Sequence, residues 1–165
     1  MVAGALETGG SDAVCLLEFH ERRALPTEIA DLERRFGASW PDPSPPTGVL
    51  RQLGLELEGY FAGELREFTV PLVAPGPPFH QRVWAELRRI PFGQTVSYIE
   101  LARRLGKETG SRAVGQANGA NRIAIVIPCH RVIAADGGLG GYGGRLWRKQ
   151  RLLEHEGALS PLFAG

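Results

Sequence analysis

The stretch Ile-Ala-Ile-Val-Ile-Pro-Cys-His-Arg-Val, residues 123–132, decides how the second half of this chain is interpreted. Its five leading apolar residues predict a buried strand, and Pro128 then blocks further pairing. Cys129 follows at the end of that strand, beside the imidazole of His130 and the guanidinium of Arg131. Because the thiolate is the reactive form of cysteine, a nearby base or positive charge makes such a thiol a candidate nucleophile. The alternative is a structural cysteine, since unpaired cysteines are often buried in protein cores.

The composition restricts the class of protein. The chain has 165 residues and is 43% hydrophobic, which is enough for one domain or two small lobes. No apolar stretch approaches the roughly 18 residues of a membrane span, and no secretory signal is visible, so we expect no membrane partner. The two cysteines, Cys15 and Cys129, lack a Cys-x-x-C spacing. We therefore expect no disulfide framework and a reducing, cytoplasmic location.

The charge is distributed unevenly along the chain. Residues 79–156 carry thirteen basic and six acidic side chains, a net charge of +7, while the remainder carries −6. This asymmetry indicates a polyanionic partner for the C-terminal part. The alternative is an ordinary solvated basic surface.

The hydrophobic pattern predicts an α/β lobe over residues 1–77. Alternation and helical spacing predict two short strands, two helices and a third strand, at Val2–Leu6, Val14–Phe19, Thr27–Phe36, Thr47–Phe61 and Glu67–Leu72. The proline-rich segment 41–46 is expected to be a loop, and residues 73–78 an interlobe linker.

The pattern predicts a mainly helical second lobe over residues 78–165. We expect helices at about 79–90, from the capping box Ser97–Glu100 to Gly106, at 112–118 with Ser111 as N-cap, and at 146–156. The second and third of these, joined by about five residues with a glycine, suggest a helix-turn-helix. The alternative is any helical hairpin.

The helix at 112–118 has small side chains where helix propensity does not favour them. Ala113 and Ala117 lie four residues apart, with Gly115 between them and Arg112 in the first turn. Small side chains allow close approach to another surface. In a basic lobe we interpret that surface as a nucleic-acid groove, and the alternative is close packing inside the protein.

Other motifs carry less weight. The glycines at 138, 140 and 143 match a dinucleotide fingerprint by letter, but no strand and acidic residue follow at the required distance. The histidines and cysteines show no zinc spacing, so no metal site is expected. His20 and His80 are expected to be ordinary residues. His155 would be the remote histidine of a protease-like pair, although family signatures for that are absent.

The last helix places an acid where it can be buried. Leu152, Leu153 and Glu156 can share one face, and a buried carboxylate requires a partner. His130 is a suitable partner, because a carboxylate fixes the tautomer of a histidine and strengthens it as a base. The alternative is an exposed acid near the chain terminus.

Taken together, these residues resemble one family. The order and spacing of several segments are similar to those of the O(6)-alkylguanine-DNA alkyltransferases, also called methylated-DNA–protein-cysteine methyltransferases. The segments are Ser97-Tyr98, Ser111 to Gly115, Asn118 to Asn121, Pro128 to Val132, Gly141 to Gly144 and Leu152 to Gly157. The resemblance is strong over about residues 78–157 and looser over 1–77, where Tyr60 to Leu65 matches best.

The resemblance implies roles for individual residues. Cys129 resembles the nucleophile that takes the alkyl group from guanine O6, and His130 the base that reaches this thiol through a water. Glu156 would orient His130, and Asn121 would hydrogen-bond near the pair. Tyr98 resembles the phenol that rotates the target phosphate and donates a proton to the departing guanine.

The remaining roles concern DNA. Arg112 resembles a finger that fills the gap left by a flipped base. The DNA-contacting and pocket-lining residues implied are Tyr98, Arg112, Ala113, Gly115 and Ala117 for the minor groove, and Tyr142 and Gly143 for the pocket wall.

The resemblance also implies the fold and the type of reaction. We expect an α/β fold, with a small ribonuclease-H-like N-terminal lobe and a mainly helical C-terminal lobe that carries the helix-turn-helix. We expect a monomer without cofactor that acts once, on O6-alkylguanine and potentially O4-alkylthymine in double-stranded DNA. Relatives usually have residues before the first strand, so either the start lies upstream or the chain is the repair half of a longer adaptive-response regulator. The competing hypotheses are a non-catalytic sensor of alkylated DNA and an unrelated cysteine hydrolase.

Overall fold

The computed structural model describes residues 1–37, 40, 45–46 and 48–160, which have mixed α/β content. The chain divides into two compact units, Met1–Ala74 and Pro75–Gly165. The division falls inside the proline-rich segment at 73–78. No helix among the described residues is long and apolar enough to cross a membrane.

The first unit begins with a β-hairpin. Strand β1 (Val2–Thr8) pairs antiparallel with β2 (Ser11–Glu18). The turn uses Gly9 and Gly10, whose φ angles of 60° and 84° are unfavourable for residues with a Cβ. Every residue from 13 to 18 is buried, so β2 is the strand that faces the core on both sides.

Two helices follow the hairpin. Helix α1 (Leu25–Phe36) begins two residues before the expected Thr27, because Pro26 is well suited to the first turn of a helix. Gly37 ends it with φ 66° and donates its N–H to the carbonyl of Glu33. Helix α2 is Gly48–Phe61. The expected helix start at residue 47 and residues 41–44 of the expected loop lie outside the described residues.

The strand predicted at Glu67–Leu72 is wrong. Only Leu72 pairs, in a single parallel bridge with Val14. The preceding residues bond to a side chain instead, because buried Glu56 of α2 accepts hydrogen bonds from the backbone N–H groups of Thr69 (3.0 Å) and Val70 (3.2 Å). The Glu56 carboxylate therefore binds N–H groups that a strand would donate to a neighbouring strand.

The second unit contains the remaining helices. These are α3 (Pro78–Leu87), α4 (Tyr98–Arg104), α5 (Ser111–Gly119) and α6 (Leu146–His155). Strand β3 (Val96–Ser97) pairs in parallel with β4 (Val132–Ile133). This pairing places β3, which directly precedes Tyr98, beside β4, which directly follows a short 3-10 turn at Cys129–Arg131.

The buried strand predicted at residues 123–127 is also wrong. All five residues are buried, but they form a compact turn in which the N–H of Ile127 donates to the carbonyl of Ile123 (2.9 Å). The side chain of Asn121 holds both ends, accepting from the N–H of Ile123 (3.0 Å) and donating to the carbonyl of Ile127 (2.9 Å). An apolar run alone does not distinguish a strand from such a turn.

Of the two predicted N-caps, Ser97 and Ser111, the structure confirms the first and not the second. The Oγ of Ser97 accepts from the N–H of Glu100 at 3.1 Å, which confirms the N-cap of α4. Ser111 is not an N-cap, because α5 starts one residue earlier than expected and Gly110 occupies that position.

Candidate active site

The thiol of Cys129 lies in the 3-10 turn and is nearly buried, with 6% of the residue exposed. The Nδ2 of Asn121 donates a hydrogen bond to its Sγ at 3.1 Å. The same amide group also holds the turn at residues 123–127, so its position is fixed by the backbone. A fixed donor directed at sulfur favours the thiolate over the thiol.

A second asparagine contacts the same turn. Asn118 is 5% exposed and its Nδ2 donates to the carbonyl of Cys129 at 3.3 Å. Sequence analysis assigned no role to Asn118. Its spacing of three residues from Asn121 was the available signal, because residues three apart at a helix end can face the same neighbour.

His130 and Glu156 lie together, as the sequence led us to expect. The His130 Nε2 and Glu156 Oε1 atoms are 2.8 Å apart, and both side chains are fully buried. Burial lowers the pKa of His130, so the imidazole is neutral near pH 7. Its Nδ1 is buried without a hydrogen-bond partner in the described part of the chain. A neutral imidazole with one nitrogen fixed by a carboxylate and the other unbonded can accept a proton.

Arg131 completes the network around Glu156. Its Nε donates to Glu156 Oε2 at 2.8 Å and its Nη2 to Oε1 at 3.0 Å, while Nη1 donates to the carbonyl of Ile90 at 2.6 Å. Burial alone would raise the pKa of Glu156, but the hydrogen bonds from His130 and Arg131 lower it to about 2. Glu156 is therefore ionised throughout the physiological range.

Gly93 contributes a further donor to this carboxylate. Its N–H lies 3.3 Å from Glu156 Oε2, and its φ is 76°. A Cβ at this position would lie 2.8 Å from the Glu156 carbonyl oxygen. The close approach requires glycine. Sequence analysis missed both Gly93 and the role of Arg131, because their partners are more than 20 residues away in sequence.

Lys149 is a fully buried cation on α6 that sequence analysis also missed. Its Nζ donates to the carbonyls of Val132 (2.5 Å), Leu139 and, more distantly, Gly141 (3.5 Å). Burial lowers its pKa to about 8, and negative charge on Cys129 acts in the opposite direction. The available signal was its position on the α6 face already assigned to Leu152, Leu153 and Glu156.

Tyr98 lies between α5 and the glycine-rich loop at residues 137–144. Its Oη donates to the carbonyl of Gly141 at 3.4 Å, and an added Cβ on Gly140 would lie 3.0 Å from its ring. Gly140 has φ 65°, so both the backbone angle and the contact require glycine there. Burial and negative charge on Cys129 raise the pKa of Tyr98, so the phenol stays protonated.

The residues expected to contact DNA do not all lie on the surface. Arg112 and Ala113 are exposed and Gly115 is partly exposed. Ala117 is completely buried, and its carbonyl accepts a hydrogen bond from Trp84 Nε1 at 2.8 Å. The prediction that Ala117 belongs to an exposed small face is therefore wrong, because this position packs against α3.

The pocket-wall candidates lie in the loop before α6. Tyr142 is partly buried, with its hydroxyl oxygen inaccessible to solvent, and Gly143 is exposed. No cluster of three or more metal-binding side chains occurs within residues 1–37, 40, 45–46 and 48–160. His155 packs edge-on against Phe92, with ring centroids 6.2 Å apart.

The comparisons with known proteins agree with the site described above. Residues 78–158 match the family described as 6-O-methylguanine DNA methyltransferase, DNA binding domain. A methylated-DNA–protein-cysteine methyltransferase from Mycobacterium tuberculosis is 49% identical over 139 residues, which cover 82% of each chain.

Solved structures agree over nearly the whole length. The crystal structure of Mycobacterium tuberculosis OGT in complex with DNA is 40% identical, with a TM-score of 0.76 over 97% of this chain and 89% of that one. The O6-methylguanine-DNA methyltransferase of Pyrococcus kodakaraensis is 30% identical, with a TM-score of 0.60 over 94% and 98% of the two chains. This chain belongs to the methylated-DNA–protein-cysteine methyltransferase family.

Proposed function

We propose that this protein repairs DNA by transferring an alkyl group from O6 of guanine irreversibly to its own Cys129. The observation that carries this assignment is the Asn121 amide directed at the Cys129 sulfur at 3.1 Å, beside the buried His130–Glu156 pair. A thiol supported in this way has a fixed hydrogen-bond donor for its anionic form and an adjacent base for its proton.

The chemistry is a one-step displacement. The Cys129 proton moves to the unbonded Nδ1 of His130, reached through a water, and the sulfur attacks the alkyl carbon attached to O6. A carbon–sulfur bond forms as the carbon–oxygen bond breaks, and the electron pair stays on the guanine. Tyr98 is suited to donate the proton that guanine then requires, because its raised pKa keeps it protonated.

The product explains why the protein acts once. The alkylated sulfur is a thioether, which has no proton to lose and is a poor leaving group. Glu156 and Arg131 are positioning residues in this scheme, because they fix His130 and do not touch the reacting atoms. Asn121 contacts the nucleophile itself.

DNA recognition is assigned to the second unit. The alkyl group on O6 faces the major groove inside the base stack, so the nucleotide must leave the helix, which costs a few kcal/mol and less when the base is damaged. We assign α4 and α5 to a helix-turn-helix that enters the minor groove, with exposed Arg112 filling the vacated space. Ala113 and Gly115 allow the close approach.

The remaining expectations belong to the same proposal. We assign a ribonuclease-H-like class to the N-terminal lobe, residues 1–77, and a DNA-binding alkyltransferase role to residues 78–165. A working thiol fits a cytoplasmic, reducing compartment, and the protein is expected to act as a monomer. O4-alkylthymine would be a second substrate.

The decisive experiment follows a label from DNA to protein. Duplex DNA with a labelled methyl group on O6 of one guanine is incubated with the protein and with Cys129→Ala. We expect label on the Cys129 peptide of the unmodified protein, none on the variant, and DNA binding by both. Binding without transfer by the unmodified protein would favour a lesion sensor, and turnover on an ester or amide would favour a hydrolase.

A further inference from the structure

Residues 145–151, which include the first turns of α6, carry three accessible arginines. Two of them are engaged within the protein: the Arg148 guanidinium lies 4.6 Å from the Trp147 ring, and Arg151 pairs with Glu154 at 3.4 Å. Arg145 is exposed, and its side chain makes no ion pair or hydrogen bond with any residue that the structure describes. Arg145 is thus the cation that this segment leaves available to a partner.

The backbone of Arg145 is strained. Its φ of 78° and ψ of 141° are angles that residues with a Cβ rarely adopt, whereas glycine adopts them readily. Ile125 is the other residue besides glycine with positive φ in the described part of the chain, and it is 1% exposed within the turn that Asn121 holds. Arg145 has no comparable burial to compensate for its strain, so the strain points to a function of its side chain.

The position of Arg145 ties it to the candidate pocket. Its N–H donates to the carbonyl of Tyr142 at 3.2 Å, and its carbonyl accepts from Arg148 (3.1 Å) and Lys149 (3.3 Å) at the start of α6. The residue therefore joins the pocket-wall loop to the helix that carries Lys149. The backbone of Arg145 is therefore held close to the pocket-wall candidate Tyr142.

We propose that Arg145 contacts a backbone phosphate of the DNA strand that carries the extruded nucleotide, an inference that rests on the proposed function. A free guanidinium presents a planar fork of donors that matches phosphate oxygens. Phosphate contacts fix the position of a protein on DNA without reading sequence, which suits a protein that must find lesions anywhere. The surrounding residues, 79–156, carry the net charge of +7 that attracts DNA.

The test compares four full-length variants: Arg145→Ala, Arg145→Gly, Arg145→Lys and Arg51→Ala. Arg51 is exposed on α2 of the first unit, so its loss changes the net charge equally and serves as the matched control. The rate constant for repair of an O6-methylguanine duplex is measured at several salt concentrations below saturation. The rate of reaction with free O6-benzylguanine is measured in parallel.

We expect Arg145→Ala and Arg145→Gly to repair the duplex about three- to tenfold more slowly and to reduce the salt slope by about 1. Reaction with the free base should be unchanged, Arg145→Lys should keep the slope, and Arg51→Ala should behave like the parent protein. Arg145→Gly should also raise the unfolding midpoint by about 2–4 °C as the strain is released. A variant that is more stable but repairs DNA less well is not expected from a purely structural arginine.

Three results would overturn the inference: an unchanged salt slope in Arg145→Ala, an equal change in Arg51→Ala, or an equal rate loss on free O6-benzylguanine. The proposed function would fail separately, if the parent protein placed no methyl group on Cys129.

Discussion

The two units of this molecule each bury an arginine against carboxylates, and the two clusters differ in their electrostatic state. In the first unit, Arg22 lies 3.2 Å from Glu18 and 2.8 Å from Glu28, so two acids share one cation. Burial raises the pKa of Glu18 to about 7, and the negative charge of Glu28 adds to the effect while Arg22 opposes it. Near neutral pH this carboxyl is only partly ionised.

In the second unit, several hydrogen-bond donors share one carboxylate. One carboxylate, Glu156, receives two hydrogen bonds from Arg131, lies 2.8 Å from His130, and also faces the N–H of Gly93. Its pKa falls to about 2 although this residue is also buried. Burial raises the pKa of both carboxyls, so the hydrogen bonds and positive charges that oppose this effect decide which cluster keeps a fixed charge.

The two clusters also differ in whether they lie beside the candidate nucleophile. Only the Glu156 cluster adjoins a nucleophile, because His130 follows Cys129 directly in the chain. A buried charged cluster is therefore not by itself a sign of an active site. We therefore expect the two clusters to differ in function as their surroundings differ.

The largest expected difference is between Glu156→Gln and Glu18→Gln. Glu156→Gln leaves the Arg131 charge buried without its partner, so the free energy of unfolding should fall by about 3–5 kcal/mol. The repair rate of the folded variant should fall about 100-fold or more, because His130 loses the carboxylate charge that strengthens it as a base. Glu18→Gln should leave the repair rate unchanged and should not lower stability at pH 7, because the neutral amide avoids the cost of ionising a buried carboxyl there.

Chemical denaturation measures the free energy of unfolding. Single-turnover kinetics at 25 °C measure the repair rate, under conditions where circular dichroism shows that both variants are folded. Equal repair rates in Glu156→Gln and Glu18→Gln would show that the two clusters do not differ in function.

A second contrast concerns the buried cations Lys149 and Arg22. Lys149→Met keeps the length of the side chain but leaves the carbonyls of Val132 and Leu139 without their donor. We expect the repair rate to fall about tenfold or more because the loop beside Tyr98 loses its anchor. Arg22→Met should lower stability while the folded fraction repairs DNA normally.

The readout is the reaction rate with free O6-benzylguanine, which does not depend on DNA binding. Exposed Lys107→Met serves as the control for loss of a lysine. A Lys149→Met protein that reacts as fast as this control would remove Lys149 from the site.

A third contrast is a pH dependence that the two clusters impose in opposite directions. Glu18 has a folded pKa near 7, above its ordinary 4.5, so the folded state binds the extra proton and stability falls as pH rises from about 4.5 to 7. The change is up to about 3 kcal/mol. Glu156 has a folded pKa below 4.5, so its contribution is present above pH 4.5 and is lost as pH falls toward 2.

Urea unfolding between pH 2 and 8 covers the titration ranges of both Glu18 and Glu156. Glu18→Gln should flatten the slope between pH 4.5 and 7, and Asp12→Asn, an acid on the same strand, should leave it in place. Persistence of the full slope in Glu18→Gln would assign the titration to another group.

Sequence analysis predicted the parts of the site that depend on local chemistry. Cys129 and His130 stand out because they are neighbours in the sequence, and Glu156 because it can share a helix face with Leu152 and Leu153; of these expectations, the contact between His130 and Glu156 is confirmed. Gly93, Arg131 and Lys149 were missed because their roles arise from contacts with distant backbone and side-chain groups. Their residue types alone are compatible with an exposed surface.

The errors in the fold have a similar origin. Residues 123–127 and Glu67–Leu72 have the composition of strands, but Asn121 and Glu56 supply hydrogen bonds that make other conformations stable. Ala117 has the small side chain expected of a groove-contacting face, and helix α3 packs on it instead. A single polar side chain or packing partner was enough to override the local pattern.

The most direct test of the account is a stoichiometric titration. Increasing amounts of O6-methylguanine duplex are added to a fixed amount of protein, and the repaired guanine and the methylated residue are both quantified at completion. The account predicts that repair stops at one guanine per protein molecule, with S-methylcysteine at Cys129 as the protein product. Continued repair beyond one equivalent, or a methyl group on any other residue, would contradict it.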